Sequence, residues 1–322
     1  MSTLEEQIRT ALPAYGVDPD VTLEAFRVSE NATYLVGGAE LATPLVIRVQ
    51  QWGVHSKEEI QAEISWIRAL RQSGVVRTAG VVPTGDGEDV IEIGGQSGPP
   101  VLATMFEFVS GREPRDDELL QWFDCLGELS ALLHRHSRSW LFPASFTRPR
   151  WDEVGLIGES PVLGDWRIGI SVGAQERTIL GRAADVVMAR LRCFGHGADR
   201  FGLIHADLRL ANLLVNDEGV KVIDFDDCGF SWHLYDLASA LTFIEDRADV
   251  EILIDLWVSG YRKVMPLSSE DMAEIPTFLM ARRLWMVGWC GLRRESQVVQ
   301  AEGGQYTEAA CEAAERYLSL EV

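Results

Sequence analysis

The chain has 322 residues, 47% of them apolar and 24% charged, the balance of a globular protein rather than a disordered or fibrous one. At roughly 150 residues per domain this length predicts two domains or lobes, with enough core to need no disulfide or metal staple. Lys and Arg number 29 against 49 Asp and Glu, and a formal net charge of -20 excludes nucleic-acid backbones and anionic membrane surfaces as main partners. The cysteines Cys125, Cys193, Cys228, Cys290 and Cys311 show no CxxC spacing, which argues against a zinc or redox motif and for a reducing compartment. The polar N-terminus has no signal-peptide core, and no uninterrupted apolar run approaches a membrane span, so a soluble cytoplasmic protein is expected.

In chain order, residues 3–12 read as a short helix that ends before Pro13. Residues 23–28, 33–36 and 45–49 read as strands, joined by turns at Ser29-Glu30-Asn31-Ala32 and Gly37-Gly38, since Asn and Gly tolerate left-handed backbone. Residues 57–72 carry Ile60, Ile64, Ile67 and Leu70 at helical spacing, with Gly74 as the stop. Two further strands, 89–93 and 101–108, flank the turn-rich segment 94–100. The character changes at Ser110-Gly111. Residues 117–136 form a strongly amphipathic helix built on Leu119, Phe123, Leu126, Leu129 and Leu133. Residues 137–170 look irregular, 176–194 helical, 202–226 a set of short strands and loops, and the chain from Asp236 onward mostly helical. The expected organisation is a small β-rich unit over residues 1–109 and a larger α-rich unit over 110–322.

The chemistry-bearing stretch is residues 201–240, FGLIHADLRLANLLVNDEGVKVIDFDDCGFSWHLYDLASA. His205 and Asp207 follow an apolar run, Asn212 precedes Leu213-Leu214-Val215, and Asp224 follows Val222-Ile223. Asn216-Asp217-Glu218-Gly219 signals a hairpin, which would bring Asn212 and Asp224 to one end of two paired strands. An amide oxygen beside a carboxylate suits a hard cation such as Mg2+. Phosphoryl transfer needs metal and basic groups to neutralise phosphate charge, and a group that holds the nucleophile in line. Asp207 is the expected base, Asn212 and Asp224 the metal ligands, and Arg209 the phosphate contact.

His205-Ala206-Asp207-x4-Asn212 resembles the H-x-D-x4-N catalytic loop of the kinase superfamily, and Asp224-Phe225-Asp226 stands where the metal-binding D-F-G segment belongs. With Trp232-His233-Leu234-Tyr235-Asp236-Leu237-Ala238 following, the set is similar to the aminoglycoside phosphotransferase/choline kinase family, which also contains homoserine, hydroxylysine and stress-response kinases. That resemblance runs from about Val21 to Ala240. It implies an α+β, bilobal protein-kinase-like fold, with a small β-rich nucleotide-binding N-lobe and a larger helical C-lobe for catalysis and substrate. It also implies ATP and Mg2+ as cofactors, with GTP left open. The implied acceptor is a hydroxyl on a small molecule: an aminoglycoside, an amino alcohol or a hydroxy amino acid. His205 and Asp236 are implied as supports of the catalytic loop, Asp236 from a helix N-terminus. Asn31 lies in a polar turn that replaces the glycine-rich loop of protein kinases, a departure that favours small-molecule kinases. Arg48 takes the place of the phosphate-pairing Lys, with Glu63 as its partner, and the backbone of Glu107 and Val109 matches the adenine-binding hinge. The rival readings are a stress-response-type Ser/Thr protein kinase and a catalytically silent nucleotide-binding module.

For the acceptor the sequence points two ways. Trp140, Trp151, Trp166, Trp232, Trp257, Trp285 and Trp289, with Asp152, Glu153, Asp165 and Asp236 interspersed, could hold an ammonium group or could simply be core. Arg282, Arg283, Arg293 and Arg294 would instead suit a carboxylated acceptor. Asp226 and Asp227 read either as a further metal or water contact or as a solvated acidic pair. His134 and His136 stand two apart, the wrong spacing for one helix face, so a histidine metal site is not expected. Cys228 reads as a small buried residue. Oligomeric state is not legible.

Overall fold

The computed structural model describes residues 4–28, 31–38, 41–50, 54–94, 100–159 and 161–320; Ser29, Glu30 and residues 95–99 of the expected turns lie outside them. The chain forms two compact units. One holds Met1–Arg112, Leu141–Arg148 and Leu214–Asp226, and the other holds Glu113–Trp140, Pro149–Leu213 and Asp227–Val322. Among the described residues no helix is long and apolar enough to cross a membrane.

In the first unit the elements run α1 (Leu4–Ala11), β1 (Thr22–Val28), β2 (Asn31–Gly37), β3 (Leu45–Gln50), α2 (Lys57–Ser73), β4 (Val81–Val82), β5 (Ile91–Ile93) and β6 (Val101–Glu107). The strands make one antiparallel sheet of order β1-β2-β3-β6-β4, with β5 also paired to β6. Period-two alternation turns Tyr34 and Val36 of β2 and Ile47 and Val49 of β3 into one core with Ile8 and Leu12. Helix α2 starts in a reciprocal cap: Ser56 Oγ accepts from the Glu59 N–H at 3.2 Å, and Glu59 Oε2 accepts from the Ser56 N–H at 2.9 Å. Its Ile60 and Ile64, one turn apart, pack with Val90.

The second unit carries α3 (Leu119–Ser139), α4 (Glu153–Ile157), α5 (Ala174–Phe194) and β7 (Phe201–Ile204). The chain next contributes the hairpin of β8 (Leu213–Asn216) and β9 (Gly219–Val222), which from Leu214 on belongs to the first unit, and then returns to the second with β10 (Gly229–Trp232), which pairs antiparallel with β7. Helices α6 (Tyr235–Ala240), α7 (Val250–Arg262), α8 (Ser269–Leu292) and α9 (Gln297–Ser319) complete it. Helices α3 and α7 cross at backbone contact. A Cβ on Gly127 would stand 1.9 Å from the Trp257 carbonyl oxygen, and one on Gly260 would stand 1.8 Å from that of Asp124, so both positions require glycine. The segment 137–170, which reads as irregular, holds the end of α3 and the short α4.

Candidate active site

Strand β7 ends at Ile204 and delivers His205, Ala206 and Asp207 into a tight bend. Ala206 has left-handed backbone (φ 66°), a strained state for a residue with a Cβ. Asp236, in the first turn of α6, holds that bend: its Oδ1 accepts from the Ala206 N–H at 2.7 Å, and its Oδ2 lies 3.4 Å from the His205 nitrogen. His205 and Asp236 are both fully buried. Asp236 Oδ2 also lies 2.8 Å from His134 Nε2, and His134 Nδ1 lies 3.0 Å from the Tyr261 hydroxyl. A relay from α7 through α3 therefore ends on the backbone of this loop.

The Asp207 carboxylate is gripped at both oxygens. Oδ1 accepts from Arg282 Nη2 at 3.0 Å, while Oδ2 accepts from Arg209 Nε at 3.2 Å and Asn212 Nδ2 at 2.9 Å. Burial alone would raise the pKa of this carboxyl, but the Arg209 and Arg282 guanidiniums outweigh it and hold the group below its usual range. Asn212, at the end of the 3₁₀ turn Leu210–Asn212, also donates to the Asp207 carbonyl at 2.8 Å. Its Oδ1 is buried and meets no donor among the described residues. Buried polar atoms rarely stay in that condition, and a hard cation would relieve it. The donor set here therefore fits a metal.

In the first unit, Asp224 stands two residues past β9 with left-handed backbone (φ 63°). Asp226 next to it is not a solvated acid. It is 6% exposed, and it accepts from Gln50 Nε2 at 2.6 Å and from Asn31 Nδ2 at 2.9 Å. Burial would push its pKa up, yet Arg48, His55 and the two amide bonds hold it well below the usual range. Arg48 makes a two-toothed bond to Glu63, Nη1 to Oε1 at 2.9 Å and Nη2 to Oε2 at 2.6 Å, and its Nη1 lies 3.7 Å from Asp226 Oδ1. Glu63 is fully buried. Burial alone would lower the Arg48 pKa, but Glu63, Asp226 and Asp224 raise it. The Glu107 N–H donates to the Gly80 carbonyl at 2.8 Å, and half-buried Val109 lines an open depression of about 870 Å³ with Arg77, Phe108 and Lys221.

A model described as "Phosphotransferase enzyme family" matches residues 22–267. The chain belongs to this family. It is an enzyme of the kinase class. The solved structure of the microcompartment-associated aminopropanol kinase is 40% identical to this phosphotransferase, with a TM-score of 0.89 and 97% of each chain covered. Amicoumacin kinase hAmiN, solved with AMP-PNP, Ca2+ and Ami, is 23% identical at a TM-score of 0.79, covers 97% of this chain and 94% of its own, and shares the fold. The amicoumacin kinase of Bacillus subtilis (strain 168) is 22% identical over 88% of this chain and 84% of its own.

In the second unit of the phosphotransferase the tryptophans separate. Trp151, Trp166, Trp232, Trp257 and Trp285 are buried core. Half-buried Trp289 sits 6.4 Å from the Phe243 ring, which is 5.6 Å from Tyr306, and the Tyr306 hydroxyl donates to Glu245 Oε1 at 2.7 Å. Phe243 is 40% exposed on left-handed backbone. The sequence signals this group only weakly, through an aromatic residue just before the acidic pair Glu245-Asp246. Of the four arginines that would suit a carboxylated acceptor, three are engaged by protein groups. Arg282 is buried against Asp207, Arg283 donates to Asp246 at 2.8 Å, and Arg294 donates to the Gly291 and Ile168 carbonyls. Asp227 is half-buried, its carbonyl accepting from Trp151 Nε1 at 2.8 Å, and Cys228 is fully buried.

Proposed function

We propose that this phosphotransferase moves the γ-phosphoryl group of ATP to the hydroxyl of a small amino alcohol, with Mg2+ as the metal. The reading rests above all on Asn212, whose buried Oδ1 lacks a donor among the described residues while its Nδ2 holds Asp207. Asp207 would orient the acceptor hydroxyl and take its proton, with His205 and Asp236 keeping its loop in shape. Asn212 and Asp224 would hold the metal, which when bound neutralises phosphate oxygens. Arg48, steadied by Glu63, and Arg209 would contact phosphates. Asn31, at the start of β2, would stand beside the nucleotide, and the backbone of Glu107 and Val109 would meet the adenine edge.

Two observations favour an amine on the acceptor. Identity to the aminopropanol kinase is 40%. Phe243, 40% exposed, and Trp289 also offer aromatic faces, the surroundings an ammonium ion prefers, while the Tyr306 ring and the Glu245 carboxylate behind them are already met by Arg283.

An ADP-release assay with MgATP and a panel of aminopropanol, ethanolamine, homoserine and spectinomycin tests the reading. Turnover is expected with the amino alcohols and is expected to stop when Mg2+ is chelated. Asp207→Asn should lower kcat by about 10²- to 10⁴-fold, the range for losing a general base, while nucleotide affinity is retained. A panel with no acceptor above background ATP hydrolysis would defeat the proposal.

A further inference from the structure

We infer that Arg282 is the positioning residue for Asp207, an inference that rests on the reading of this chain as a kinase for a small alcohol. Arg282 is 4% exposed on α8, and protein groups take all three of its guanidinium nitrogens. Nε donates to Thr242 Oγ1 at 3.0 Å, Nη1 to the Tyr235 hydroxyl at 3.2 Å and toward the Ala206 carbonyl at 3.4 Å, and Nη2 to Asp207 Oδ1 at 3.0 Å. The Trp285 ring lies 4.6 Å from its Cζ and the Tyr235 ring 5.6 Å. One rigid plane therefore fixes both the carbonyl of the strained residue and the carboxylate that follows it.

Arg209 cannot supply that constraint. It is two residues from Asp207 on the same loop, its side chain is 30% exposed, and it moves with the group it would have to fix. A carboxylate offers about four acceptor sites on two oxygens. Arg209 and Asn212 occupy Oδ2 and Arg282 takes one site on Oδ1, which leaves the second Oδ1 site for an acceptor hydroxyl. Without the Arg282 plane, the carboxylate could rotate that site away. A lysine keeps the charge but loses the fork that joins Ala206, Asp207 and Thr242.

The experiment compares wild type with Arg282→Met, Arg282→Lys and Thr242→Val, using aminopropanol as acceptor and calorimetry for MgATP affinity. Losing one charge-assisted bond at this position should lower kcat of Arg282→Met on the order of 10- to 100-fold. Nucleotide affinity should stay at the wild-type value. Added guanidinium ion, below denaturing concentration, should restore part of kcat in Arg282→Met and none in Asp207→Asn. Thr242→Val keeps the guanidinium but frees its Nε, and should show a smaller loss. Wild-type kcat in Arg282→Met overturns the inference, as does a loss that carries nucleotide affinity down with it and ignores guanidinium. Should Arg282→Met not fold, wild-type kcat in both Arg282→Lys and Thr242→Val overturns it equally. If wild-type enzyme turns over no alcohol, the proposed function falls. The same variants are then read on slow MgATP hydrolysis, where an unchanged rate removes the positioning role on its own.

Discussion

Asn212 donates to the Asp207 carboxylate at 2.9 Å while its own carbonyl oxygen, buried in the same turn, meets no donor among the described residues. One amide thus steadies the proposed base with its nitrogen and offers its oxygen to a cation. Nucleotide binding to the wild type should depend on Mg2+ and be weakened by EDTA. In Asn212→Ala the Mg2+ concentration for half-maximal binding should rise by at least about tenfold, since even indirect supports of metal sites are worth that much. Calorimetric titration of nucleotide at several Mg2+ concentrations measures this. An unchanged Mg2+ requirement would remove Asn212 from the ligand set.

A second buried group makes stability depend on pH. His233 stacks on His134 at 4.5 Å, both rings are buried, and the His233 Nε2 has no partner among the described residues. Burial first, and then the neighbouring His134 and Arg138, push its pKa well below the ordinary 6.5. The unfolded chain takes up a proton here as pH falls through about 6.5, and the folded chain does not. Stability is therefore unaffected well above that pH and falls below it, by up to about 1.4 kcal/mol per pH unit. His233→Phe keeps a stacked ring without the proton site. It should flatten the loss of Tm between about pH 7 and pH 5.5; a variant as acid-sensitive as wild type would show that other groups set the slope.

How far the sequence reveals the site depends on separation along the chain. His205, Asp207 and Asn212 lie on one short loop, so their spacing alone brings them together. The strand pattern of β2 and β3 is equally local. Arg282 meets Asp207 across 75 positions, and His134 meets Asp236 across 102. Those meetings are decided by how α8 and α3 pack, and side-chain type gives no hint of them. Arg282 accordingly reads from sequence as one of four arginines suited to a carboxylated acceptor, not as a partner of Asp207. Strands β4 and β10, only 2 and 4 residues long, exist because β6 and β7 offer them edges, and so leave no alternating pattern of their own.

The α3–α7 crossing yields a test of packing apart from chemistry. Replacing a mid-helix glycine by alanine ordinarily stabilises a helix by about 1 kcal/mol. At Gly127 the added methyl would sit 1.9 Å from the Trp257 carbonyl oxygen, a backbone atom that cannot swing aside. Overpacking of this kind costs about 1–3 kcal/mol, so the steric effect should win and Gly127→Ala should lower Tm by several degrees. A Tm at or above wild type would mean that the two helices separate easily.

The buried Arg48–Glu63 fork should behave differently when broken and when removed whole. Glu63 is fully buried and takes both Arg48 η-nitrogens, so Glu63→Leu leaves a buried guanidinium with only Asp226, at 3.7 Å, and the nearby Asp224 charge to offset it. Breaking such a pair costs about 3–5 kcal/mol, and the remaining acids should bring the loss toward the lower end. Removing both charges in Arg48→Met with Glu63→Leu eliminates the stranded cation, and replacement of a buried pair by apolar residues is often close to neutral. Asp226 would then lose its cation but keep its bonds to Asn31 and Gln50. Thermal unfolding of the two single variants and the double variant is expected to show a positive coupling, with the double variant more stable than Glu63→Leu. Phosphotransfer should remain impaired in the double variant, because the phosphate contact assigned to Arg48 is gone. Recovery of both stability and kcat would show that the fork serves the fold alone.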